Sequence, residues 1–100
     1  MTLRIEHPIT DIDTWLGAFG RFADARQRAG VRSHRVHQPD DDDHYICVDL
    51  EFDTTEQAAA FRAFLEANVW SSPAASPGLA GTPRARVLVE VAAAGPRSSA

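Results

Sequence analysis

Lysine is absent from this 100-residue sequence, and all ten of its cationic side chains are arginines. Schiff-base catalysis by a side-chain amine is thereby excluded, as is covalent attachment of pyridoxal phosphate. Cysteine is nearly as scarce. Cys47 stands alone, so neither an intramolecular disulfide nor a paired-thiol redox motif can form. No stretch approaches the ~20 apolar residues that span a bilayer, so no membrane partner is expected. The opening MTLRIEHPITD lacks a charged segment followed by an apolar one, so no signal peptide is expected and a cytoplasmic location is the simplest expectation. Basic runs are missing, and the net charge is −4. Phosphate backbones are held by clustered Lys and Arg, so nucleic acid is not an expected partner. Nucleophile elbow, phosphate loop and dinucleotide fingerprint are all missing as well.

What is present points to a globular domain. Apolar residues make up 44% of the chain, which supports one modest core. A single domain over residues 1–93 is expected, with 94–100, AGPRSSA, as a frayed tail. Heavy use of Ala, Arg, Asp and Val suggests a GC-rich bacterial genome.

TLRIEH alternates, with Leu3 and Ile5 on one side and Arg4 and Glu6 on the other, as a half-buried strand does. Ile12, Trp15, Leu16, Phe19, Phe22 and Ala23 recur at helical spacing. They predict one helix from a cap at Thr10 or Asp11 to Gly30, which suits the left-handed position beyond a helix end. Gly17 and Gly20 weaken that helix, and a close neighbour would explain them. VRSHRVHQ reads as a weaker strand and HYICVDLEF as a strong one, with Ile46, Val48, Leu50 and Phe52 on one face. TTEQAAAFRAFLEANVW is a helix with Ala58, Phe61, Phe64, Leu65 and Val69 on its apolar side, opened by a Thr54–Gln57 capping box. The loop SSPAASPGLAGTP follows, read either as an irregular link or as a lid. RARVLVEVA closes the pattern with Ala85, Val87, Val89 and Val91 inward.

The order is β-α-β-β-α-β, an α+β arrangement of the ferredoxin-like kind: an antiparallel sheet with two helices on one face. The other face is left uncovered. It carries Arg4, Glu6, Tyr45, Cys47, Asp49, Glu51, Arg86, Leu88 and Glu90, whose mixed signs suggest a paired network. A carboxylate there with a raised pKa is the sharper alternative, but pairing to Arg would lower its pKa.

HQPDDDDHYICVDLEFD, residues 37–53, poses the question of a metal site. Four adjacent Asp repel and prefer water, and the alternating acids, Gly and distant Glu of an EF-hand loop are missing. A solvated hairpin tip is expected. His34 and His37 lie three apart on a strand and point to opposite faces, so they do not chelate together.

Three passages, EHPITDIDTWLGAFGRF, ICVDLEFDTTEQAAAFRAFL and GTPRARVLVEV, carry a resemblance to the dimeric α/β barrel superfamily, in particular to its antibiotic-biosynthesis-monooxygenase-like (ABM) domains. The likeness spans roughly residues 2–92. It implies a homodimer closed sheet to sheet, and a pocket between sheet and helices within each subunit. It also implies a small hydrophobic or aromatic ligand. The enzymatic reading is a cofactor-free monooxygenase or cyclase acting on an aromatic or polyketide-like compound; the alternative is a non-catalytic binding or accessory protein. His7 lies on the helix side by parity and is the candidate catalytic residue. Trp15, Phe19, Phe52, Phe61 and Trp70 are the candidate ligand walls, although an ordinary core also needs such aromatics. The heme-degrading branch uses an Asn on the first strand, a Trp after the third strand and an axial His on the second helix. Here His7 and Phe52 occupy the first two places, and no histidine follows His44. No cofactor is expected.

Overall fold

A computed structural model describes residues 1–94 of the chain. Of the expected tail, all but Ala94 lies outside the described residues. The strands are β1 (Thr2–Pro8), β2 (Ser33–His37), β3 (Tyr45–Glu51) and β4 (Arg84–Leu88). The helices are α1 (Ile12–Arg21), α2 (Ala23–Ala29) and α3 (Thr55–Asn68). The chain is α+β, and its sheet has the order β2-β3-β1-β4 with every described pairing antiparallel. This arrangement is compatible with a ferredoxin-like fold.

Register sets the core. Leu3 faces Leu50, Ile5 faces Val48 and His7 faces Ile46, so strict alternation sends these pairs to one side. There they meet Trp15, Ala58, Phe61, Leu65 and Val69. Leu3, Ile46 and Leu50 are fully buried, each contributing about 1.5–3 kcal/mol by leaving water. Ile9, just past β1, joins the same core. The opposite face holds charge. Arg4 donates from Nε and Nη2 to both oxygens of Asp49 at 2.9 Å, and Tyr45 donates its hydroxyl to Glu6 at 3.2 Å. The Arg4 guanidinium holds the Asp49 carboxyl below its usual range, which argues against Asp49 as a base near neutral pH.

Several expectations need correction. The long first helix is two helices, because the chain breaks at Phe22, with φ −97° and ψ 14°. Asp11 does cap its start, accepting from the Thr14 N–H at 2.8 Å, and Gly30 does end it in the left-handed region at φ 95°. Leu16 and Ala23 are exposed; the break and the flat side of the sheet leave room only for the narrower stripe of Trp15, Ala18, Phe19 and Phe22. A side chain at Gly17 or Gly20 would meet open space, so no close neighbour explains either glycine. β4 ends at Leu88, where its pairing with β1 runs out at Thr2. Val89 and Val91 therefore lie exposed beyond the sheet. α3 stops at Asn68, two residues short of Trp70, although its capping box at Thr54 and Gln57 is formed.

Candidate functional site

Between the sheet and the helices lies a mainly apolar cavity of about 80 Å³. That is well above the roughly 10–15 Å³ needed by one water, and below the ~150 Å³ of an apolar cavity known to admit benzene. A ring-sized ligand is therefore larger than the cavity as it stands, and its entry needs the wall to open to nearly twice this volume. The floor is Ile5, Val48 and Leu50 from the sheet. α3 and its exit supply Phe61, Leu65, Val69 and Trp70. Ala75, Ser76, Pro77 and Leu79 close it from the loop after α3.

That loop is pinned. Thr10 N–H donates to Gly78 O at 2.8 Å, Ala80 N–H donates to Pro8 O at 3.1 Å, and Ile9 bridges Leu79. Gly78 has φ 88°, and a Cβ there would come within 3.1 Å of the Trp15 backbone nitrogen. Only glycine satisfies both the left-handed conformation and the close approach. The loop is a wall seated on β1 and α1.

His7 reaches the cavity from the end of β1 and is 4% exposed. Its Nδ1 lies 2.9 Å from the Pro8 carbonyl oxygen. A carbonyl only accepts, so Nδ1 carries the proton and Nε2 keeps its lone pair. Nε2 has no hydrogen-bond partner among the described residues, and it keeps some exposed surface. Burial pushes the pKa of His7 down, against a smaller upward pull from the Pro8 carbonyl. A neutral imidazole with a free Nε2 is a base.

The first helices supply one continuous wall. The Trp15 ring sits 6.3 Å from His7, and Phe19 stacks on Trp15 at 4.9 Å. The Arg26 guanidinium then lies 3.6 Å over the Phe19 ring. Arg26 is itself buried and lines the same cavity. Sequence reasoning missed it. Positions 15, 19, 22 and 26 follow helical spacing, but the apolar stripe read from the sequence ends at Ala23, because an arginine does not extend an apolar pattern. Arg26 lies on the cavity side, where its Nη1 donates to Phe19 O at 2.6 Å.

Five of the six sequence-derived site residues thus line one cavity: His7, Trp15, Phe19, Phe61 and Trp70. Phe52 does not. It is buried 6.0 Å from Phe61, on the far side of that ring, because it follows β3 at the end of the sheet remote from His7. Trp70, just past the end of α3, is half-buried in the wall.

The acidic hairpin carries the described cluster with ligand atoms close enough to share a cation, Asp42, Asp43 and His44. All three are exposed. His44 Nδ1 lies 2.8 Å from Asp43, and Gln38 closes the turn onto Asp43 O at 2.9 Å. No helix among the described residues is long and apolar enough to cross a membrane. No family model matches the chain, and no curated protein matches it.

Proposed function

We propose that this chain is the subunit of a homodimeric, ferredoxin-like α/β barrel of the ABM-like kind, which binds a small aromatic compound in the cavity and acts on it through His7. The observation that carries this reading is the state of His7: buried in an apolar cavity, neutral, with Nδ1 committed to Pro8 and Nε2 free. Such a base takes a proton from a phenolic hydroxyl or an activated C–H, becoming imidazolium. The electron pair stays on the substrate as phenolate or enolate. Ring closure within the substrate and attack on dioxygen both begin with that anion, which is why cyclase and cofactor-free monooxygenase remain joined in the proposal.

Polar content beyond His7 favours this over a sealed core, since Arg26 and Ser76 also line the cavity. The charged outer sheet face supports the dimer. Arg86, Arg4, Asp49 and Arg35 form one row across the strands, with the thiol of half-buried Cys47 in the next. The half-buried Tyr45, Cys47 and Leu88 set among these charges are the apolar part of the face that a second copy would cover.

The test is His7→Ala. Pro8 O also accepts from Ala80 N–H, so losing the imidazole strands no buried acceptor. The expected cost in stability is only about 1 kcal/mol, with the dimer intact. Exchange of the acidic C–H of an enolisable ketone probe with solvent should then fall by about 10²–10⁴-fold. Unchanged exchange would remove the catalytic role.

A further inference from the structure

We infer that Arg26 makes this cavity a site for a carboxylate-bearing, ring-sized ligand, with the carboxylate on the guanidinium and the ring against the apolar lining of the cavity. The inference rests on the cavity being a ligand site, as proposed above.

Arg26 is 8% exposed, yet no carboxylate lies within ion-pairing distance of it among the described residues. A buried cation without a counterion is costly. Its Nη1 is used on Phe19 O, but Nε and Nη2 have no hydrogen-bond partner among the described residues. Neither is sealed: the buried, unpartnered side-chain nitrogen among those residues is Arg62 Nε. The open edge of the guanidinium is thus the edge that grips a carboxylate with two parallel hydrogen bonds.

A purely structural role is weaker. Phe19 O already receives the Phe22 N–H at 3.3 Å, so Arg26 is not required to satisfy it. Methionine would fill the same stem volume without burying a charge. The stack of Arg26 on Phe19 and of Phe19 on Trp15 holds the guanidinium by its face, which fixes the plane in which its edge can be approached.

The test compares benzoate with benzyl alcohol, which share a ring and differ in charge. Both are titrated at pH 8 by NMR, following the His7 and Trp15 resonances, on the full chain and on Arg26→Met and Arg26→Lys. Wild type should bind benzoate at least about tenfold more tightly than the alcohol. Arg26→Met should bring the two affinities together, and Arg26→Lys should keep part of the difference. Equal affinities in the wild type, or a preference that survives in Arg26→Met, overturns the carboxylate assignment while leaving the cavity a ligand site. If neither probe moves His7 or Trp15 in the wild type, both the assignment and the ligand site fall. Should Arg26→Met not fold, the wild-type ratio and Arg26→Lys still decide.

Discussion

His7 binds the largest number of consequences to one side chain. Its folded-state pKa is lowered by burial, whereas the unfolded chain titrates near 6.5. Between those values the unfolded chain takes up a proton that the native state refuses, so stability rises with pH across that window. The contribution is complete above about 6.5 and is lost as pH falls toward the folded value. Urea unfolding at pH 7.5 and 5.0 should show a drop for wild type that is smaller in His7→Gln. An equal drop in both would place the acid sensitivity elsewhere. Asp49 acts in the same sense at lower pH: its pairing with Arg4 is complete above the unfolded carboxylate range and is lost as the carboxyl protonates through its lowered pKa. Because Arg4 is about half exposed, the pair contributes at most about 1 kcal/mol. Arg4→Ala should therefore leave the fold intact, with a shift in urea midpoint at the edge of detection.

At the level of elements, the loop after α3 decides whether the cavity has a fourth wall. Gly78→Ala forces a side chain into the left-handed region and against Trp15, with an expected loss of about 1–3 kcal/mol. The loss should come with a changed Trp15 fluorescence, because the added methyl presses on that residue. A neutral Gly78→Ala would mean that the loop does not sit on α1 as described. Thr54→Ala removes the acceptor of the Gln57 N–H and should cost about 1 kcal/mol in the same assay. Strand alternation and capping were legible in the sequence because each is local: Leu3, Ile5 and His7 by parity, Thr54 and Gln57 by spacing, Gly30 by the run it ends. The break at Phe22 was not legible. The apolar spacing runs on unbroken through Phe22, so nothing in the periodicity marks the change of backbone conformation there. The early end of β4 was equally hidden, since Val89 and Val91 alternate correctly and lack only a strand to pair with. Phe52 shows the limit of parity: it identifies the side of the sheet but not the distance along it.

At the scale of the whole molecule, the proposed function joins two claims, a homodimer and a bound ligand. Sedimentation equilibrium at micromolar concentration should give twice the 10.9 kDa chain mass, and a monomer there would sink the barrel. The ligand claim rests more directly on His7 than on the dimer. It is tested by long-range ¹H–¹⁵N spectra of the imidazole at pH 7, assigned with His7→Gln and repeated with a phenolic or benzoate probe. The expected result is a neutral ring protonated at Nδ1, with an unprotonated Nε2 whose shift moves when the probe enters. A charged ring, a proton on Nε2, or an Nε2 unaffected by any such probe would contradict the assignment of this cavity as a site worked by His7.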